Sequence, residues 1–408
     1  MISATRRWTG PALVWILAAI SIRASAAADD GLVDDPRLLA TGDQDDRNWL
    51  TFGQDYRNQR FSSLDQISRA TVARLKPAWI YQTGVFGSFP TTPLVVDGVM
   101  YITMPGNDVA ALDAGRGAEL WRYRHELRTE PFGALGNRGA AIGYGKVYEA
   151  TDDGRLIALD QKSGEVVWDV VIATPDQGEV EDLAMLGPEL DDVLVSGTSR
   201  LGAKMPPLVH DGKVIVGVTG AGYGLHFESA PGSGDVGVAG IEGNFGKRGY
   251  LAAYDADTGN ELWRWYTTKA DGWEGEFLQT TADGVPLNRD VAAEKAVAGR
   301  YREAWRSGGG STWMTPALDA ERGLLYLGTG NPASQNYGHS RPGDNLFTSG
   351  VAALEVATGA LRWFFPAGAA RPLGLRRREP DRAVRCGDRR SHRAGGQSGR
   401  QDRLVLRQ

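Results

Sequence analysis

Residues 253–265 read AYDADTGNELWRW. An apolar residue and an acid end one strand, a glycine follows, and tryptophan opens the next strand. This is the grammar of a tight hairpin, in which glycine supplies the positive φ that other residues avoid. The pattern returns as ALDAGRGAELWRY from Ala111, ALDQKSGEVVWDV from Ala158 and ALEVATGALRWFF from Ala353. Each copy has Ala, an apolar residue and an acid, then Gly six positions after the Ala and Trp four positions later. The stretch LKPAWIYQTG around Trp79 resembles a fifth return strand.

The tryptophans stand at 79, 121, 168, 263 and 363, with gaps of 42, 47, 95 and 100 residues. The first two gaps each fit one four-stranded propeller blade. The last two fit two blades each, or one blade with insertions. Strand-like runs fill the intervals: TTPLVVDGVMYIT, GKVYEATDDGRLIALD, PPLVHDGKVIVGVTG and GLLYLGTGN. Asp-Gly punctuates three of them, a hairpin signal. Trp at a fixed place in every blade can dock between neighbouring blades, which is structural work rather than catalysis.

The 408 residues carry a formal charge of −5. The segment from Pro366 to Gln408 holds 12 Arg against four acids, so the rest of the chain is strongly acidic. An acidic body argues against nucleic acid as a partner. Residues 1–28 read as an export signal, with Arg6 and Arg7 before the apolar stretch GPALVWILAAISI and small residues at Ala24-Ser25-Ala26. An uncleaved anchor is the alternative. Export points to the periplasm. The only cysteine is Cys386, so the body offers no disulfide.

With DYRNQRFSSLDQI, GGGSTW, LGTGNP and RPGDNLFTS added, residues 48–365 resemble the quinoprotein alcohol dehydrogenases of the methanol and ethanol dehydrogenase type. The resemblance implies an all-β fold, an eight-bladed β-propeller of which residues 29–365 would form roughly the first half. It implies pyrroloquinoline quinone (PQQ) beside a calcium or lanthanide ion, and a small alcohol oxidised for a periplasmic cytochrome c or quinone acceptor. Trp313 matches the indole that stacks on the quinone, with Gly308 to Gly310 allowing close backbone approach. The plainer reading is one more core tryptophan. Arg138 in GNRGAA matches the cation near the anionic quinone. Thr219, Gly220 and Ala221 match the segment that contacts its carboxylates. Asn331 matches a metal-ligating amide, although Asn before Pro332 also suits an ordinary turn.

Three departures stand out. Gly222 occupies the place of a Glu metal ligand, for which Glu228 or Glu242 would have to substitute. LRTEPFGAL lacks the adjacent cysteines of many relatives. The catalytic Asp expected within about 15 residues of Trp363 is absent. Reading the codons of 366–408 one base later permits QQVPHD and then LWDYD, the continuation the resemblance implies. The Arg-rich tail is therefore read as out of frame and disordered, and the 408-residue chain as an inactive fragment. A non-catalytic scaffold of the outer-membrane assembly type is the rival reading. It would share the Trp hairpins without needing GGGSTW, Arg138 and Asn331 together.

Overall fold

The hairpin pattern builds four antiparallel sheets of four strands each, as a computed structural model shows for residues 32–42, 47–127, 137–173, 195–196, 202–219, 224–227, 236–239, 248–281, 284–333 and 341–367. The expected export signal at 1–28 lies outside these described residues, as does the tail from 368 onward. Gly220, Ala221, Gly222, Glu228 and Glu242 lie outside them too.

The first sheet joins β1 (Leu94–Val96), β2 (Val99–Thr103), β3 (Val109–Asp113) and β4 (Glu119–Tyr123) in chain order. The second joins β5 (Ala141–Gly143), β6 (Lys146–Ala150), β7 (Arg155–Asp160) and β8 (Val166–Val171). Next come β9 (Val195–Ser196), β10 (Leu208–His210), β11 (Lys213–Val218), β12 (Gly224–Phe227), β13 (Val236–Ala239), β14 (Tyr250–Asp255) and β15 (Glu261–Tyr266). The third sheet runs β10-β11-β14-β15, while β9, β12 and β13 form a separate three-stranded sheet. The fourth joins β16 (Ala317–Asp319), β17 (Leu324–Gly328), β18 (Gly350–Glu355) and β19 (Leu361–Pro366). These are the blades of a β-propeller. The long gaps are thus each one blade with an insertion. The fourth blade's insertion carries an α-helix, Val291–Ala298, capped by the Asp290 carboxylate on the Ala293 N–H, and a short 3-10 helix, Ala304–Ser307. β19 runs through Pro366, one residue into the expected tail.

Burial grades across each blade. RLIALD in β7 is buried at five of its six positions, whereas VVWDVV in β8 is half-buried or exposed. A near-continuous apolar run suits a strand covered on both faces, and an outermost strand meets water.

Three of the repeated tryptophans join consecutive blades, and Trp79, whose segment forms no strand and so corrects the expected fifth return strand, packs in the same way on the first blade. Trp79 packs on Gly117, Trp121 on Gly164, Trp168 on Gly259 and Trp263 on Gly359. Every one of these glycines has φ between 69° and 73°. A Cβ added at any of them would sit closer than 3.0 Å to the indole, so glycine is needed twice over, for φ and for space. Each indole N–H also reaches the carbonyl three residues before its glycine: Ala114 at 2.9 Å, Gln161 at 3.2 Å, Ala256 at 3.2 Å and Val356 at 2.9 Å. In two clamps a tyrosine hydroxyl shares that carbonyl, Tyr101 on Gln161 and Tyr148 on Ala256. The acid of the motif caps the turn. The Asp255 carboxylate, for example, accepts from the N–H groups of Asp257 and Thr258. Trp363 lies beside Tyr326 with ring centroids 5.9 Å apart, but among the described residues no glycine turn meets it, and it is 46% exposed.

Candidate functional site

Trp313 lies outside the repeat, as Trp49, Trp273 and Trp305 also do. It is 45% exposed and grips no glycine among the described residues. The residue before it is fully buried, and its hydroxyl lies within hydrogen-bond reach of two carbonyls, Val218 at 3.0 Å and Tyr250 at 2.6 Å. Thr312 thus pins the GGGST segment between β11 and β14. Gly308, Gly309 and Gly310 do permit close approach, but to the protein itself. A Cβ on them would strike Trp273, the Ala333 backbone and Thr267 in turn.

Arg138 comes from the second blade's entry segment. The carboxamide of Asn137, just before it, donates to the Ala150 carbonyl and accepts from the Gly139 N–H, and the Arg138 carbonyl accepts from Thr92. The guanidinium carbon lies 5.2 Å from the Trp313 ring centroid, and Nη1 donates to the Lys204 carbonyl at 3.3 Å. A cation and a π-face are therefore presented together. Burial lowers the Arg138 pKa, and the nearby Asp152 carboxylate opposes that shift.

Thr219 follows β11 directly and pairs with Gly202 in an isolated bridge. Its hydroxyl is buried and makes no hydrogen bond among the described residues, and neither does that of Ser311. Asn331 sits against the same glycine segment. Its carbonyl accepts from the Gly310 N–H, and the neighbouring Gly330 N–H donates to Ser311. Arg138, Trp313 and Asn331, far apart in the chain, thus border one segment, Gly309–Trp313, or the indole that ends it, and Thr219 follows Val218, whose carbonyl meets Thr312. Among the described residues no group of three or more His, Cys, Asp or Glu side chains could hold a metal.

Sequence reasoning missed two charged side chains here. Lys204 and Asp152 are both buried, with Nζ 3.0 Å from a carboxylate oxygen. Burial pushes Asp152 up to about 6, against the pull of Lys204. Burial likewise lowers Lys204 against the pull of Asp152. Beside them Glu149 is fully buried and pushed well above the usual carboxylate range by desolvation. One Glu149 oxygen accepts from Asn107 at 3.3 Å, and the other has no partner among the described residues. Two signals pointed here unread: a lysine inside the apolar run LGAKMPPLV, and a doubled acid in ATDDG that passed as turn punctuation.

A described orphan hydroxyl on Thr219, a cation and an open indole suit a flat, anionic, hydrogen-bond-accepting ligand such as a quinone bearing carboxylates. For a metal the described residues offer the Asn331 amide, which makes no side-chain hydrogen bond among them.

Comparison with known proteins agrees with the blades and the motifs. The family described as glucose/ethanol/alcohol dehydrogenase, β-propeller domain, with the label PQQ, matches residues 49–367. The chain is 35% identical over 346 residues to the dehydrogenase subunit of a quinone alcohol dehydrogenase from Komagataeibacter europaeus, covering 83% of this chain and 41% of the relative. It is 32% identical over 353 residues to methanol dehydrogenase subunit 1 of Methylorubrum extorquens, covering 83% and 48%. Among solved structures, a quinohemoprotein alcohol dehydrogenase from Pseudomonas putida superposes with a TM-score of 0.61 at 30% identity, covering 84% of this chain and 43% of that one. The chain thus spans less than half the length of the curated relatives it matches.

Proposed function

Because the chain belongs to the PQQ-dependent glucose/ethanol/alcohol dehydrogenase β-propeller family, we propose that it binds pyrroloquinoline quinone against Trp313 for the oxidation of an alcohol CH–OH group. The observation that carries this is the meeting of a half-exposed indole and a guanidinium, 5.2 Å apart. When bound, the quinone supplies a two-electron acceptor.

The chain's own residues would do the rest. Trp313 offers a flat apolar wall and keeps water from one face of the ligand. Arg138 stays protonated at any working pH and takes a carboxylate through its fork of donors. The Thr219 hydroxyl donates to another acceptor, with the backbone of Gly220 and Ala221 beside it in sequence. Asn331 lends an amide oxygen to calcium or a lanthanide, and the remaining ligands would have to come from residues outside those described.

The proton on the alcohol oxygen needs a base. No Asp follows Trp363 within 15 residues. Positioned acid–base groups contribute about 10² to 10⁴ in rate, so this chain should turn over more slowly than a frame-restored product by about that factor. A small alcohol as substrate, export to the periplasm by residues 1–28, and electron transfer to a cytochrome c or a quinone complete the proposal.

The test is calorimetric titration of the 408-residue chain with PQQ and calcium, beside Trp313→Ala. Binding that the substitution weakens at least tenfold supports the reading. Equal binding by both proteins, or none by the parent, overturns it. Phenazine-type dye reduction by a simple alcohol then compares the chain with the product of the gene lacking one base near the Phe365 codon. Equal rates would sink the role given to the missing Asp.

A further inference from the structure

We propose that Lys204 is a second ligand-binding cation of this site, one that takes a further carboxylate of a planar aromatic polycarboxylate held against Trp313, and that Asp152 keeps it paired until the ligand arrives. The inference rests on the quinone reading above and deepens it.

Lys204 lies at the crossing point of the site. Its segment is tied residue by residue to the candidate elements. The Gly202 carbonyl accepts from the Thr219 N–H at 2.9 Å, and the Ala203 N–H donates to Thr151 at 3.0 Å. The Lys204 carbonyl takes the Arg138 guanidinium, and the Pro206 carbonyl takes the Thr315 hydroxyl at 2.7 Å. The backbone that carries the lysine is thus anchored between the residue expected to meet carboxylates and the cation expected beside them, and its ammonium meets Asp152 at 3.0 Å.

A buried lysine demands a reason. The pair with Asp152 is a poor device for stability, since burial disfavours both charges more than each favours the other. Replacing such a pair by apolar residues is often neutral or stabilising. What the pair does supply is charge that can be released. Arg138 and Lys204 against one ionised Asp152 leave a single surplus positive charge, and protonation of Asp152 leaves two.

Burial biases Asp152 toward that step. Lys204 and Arg138 hold it ionised, while Asp153 opposes them. Burial raises the Glu149 pKa well above the usual carboxylate range, and the Asp152 charge pushes it the same way. His125 lies beyond, with Nε2 3.0 Å from Asp153. An arriving polyanion adds negative charge beside Asp152, so a proton from solvent moves onto its carboxylate and the Lys204 ammonium turns to the ligand. No covalent bond changes.

The experiment titrates the full 408-residue chain with PQQ at pH 5.5 and 7.5, in buffers of different ionisation heat. The parent should bind more tightly at pH 5.5 and take up about one proton per ligand at pH 7.5. Lys204→Met should weaken binding about ten- to a hundredfold, the range of a charged hydrogen bond. Asp152→Asn should tighten binding at pH 7.5 and abolish both the pH dependence and the proton uptake. A merely structural Asp152 would loosen binding when changed, so that sign overturns the proposal. Parent-like binding by Lys204→Met overturns it as well. Should Lys204→Met fail to fold, a parent without proton uptake is sufficient to reject it. Parent binding that depends on Trp313 but ignores Lys204 leaves the quinone reading standing while this inference falls. No parent binding ends both.

Discussion

Trp263 and Trp313 are the same side chain put to opposite uses. Trp263 is 8% exposed, lies against Gly359 and donates to the Val356 carbonyl at 2.9 Å. Trp313 is 45% exposed, and an arginine rather than a glycine faces it. The first belongs to a clamp that recurs four times among the described residues, so its surroundings are dictated by the repeat. The second interrupts the pattern, and its surroundings are dictated by something outside the repeat. In a repeat protein the exceptional copy of a residue is the better guide to chemistry.

The contrast can be broken most forcefully at Trp263. Trp263→Ala removes a buried indole and its hydrogen bond, and should cost about 3–5 kcal/mol in denaturant unfolding. A loss under about 1 kcal/mol, the size of an ordinary surface change or little more, would show that the clamp is decorative. Gly359→Ala tests the same joint from the other side. It forces a Cβ into the indole at a positive φ, and should cost about 2–4 kcal/mol. Trp263→Ala should relieve that clash, so the double variant ought to lose less than the two single losses together. Full additivity there would deny the contact.

Trp313→Ala should do the reverse. Its cost in stability should stay below about 1 kcal/mol, because half of the ring is already in water and the chief interaction it gives up is the one with the Arg138 guanidinium. A melting temperature lowered as far as by Trp263→Ala would make Trp313 a core residue after all.

The smallest effect belongs to Glu149→Gln, and it should appear only as pH rises. The folded-state pKa of Glu149 lies well above its unfolded value near 4.5. Its contribution to stability is complete below that unfolded value and is lost as pH climbs toward the folded one. Asp152, between 3.8 and about 6, adds a loss of the same sign. The parent should therefore melt lower at pH 7.5 than at pH 5 on account of these groups. Glu149→Gln should match the parent at pH 5 and melt slightly higher at pH 7.5. A variant whose deficit grows with pH would mean that Glu149 works in its ionised form.

What could be read in advance follows the same division. The hairpins were legible because their Ala, acid, Gly and Trp recur at fixed offsets and each has a local physical cause. The tyrosine partners Tyr101 and Tyr148 were not, although each stands 20 residues before its tryptophan, because that offset spans more than one hairpin and has no local physical cause. The number of blades between Trp168 and Trp263 stayed open because an insertion and a second blade are the same length. Arg138, Thr219, Trp313 and Asn331 came from resemblance, since no local pattern in the chain says that residues so distant meet. Lys204 and Asp152 went unseen because a buried ion pair leaves only a faint mark, one lysine among apolar neighbours and one extra acid in a turn.

The clamps also have a direction. In all four, the tryptophan precedes in the chain the glycine it grips. A ribosome therefore exposes each indole before it makes the turn that will cover it, and every new hairpin emerges toward a seat already built. The third and fourth clamps span loops about twice as long as the first two. Each doubling of a loop adds only about 0.6 kcal/mol to its closure. The blades can thus carry their long insertions at little cost to assembly, provided the seat is finished before its occupant arrives.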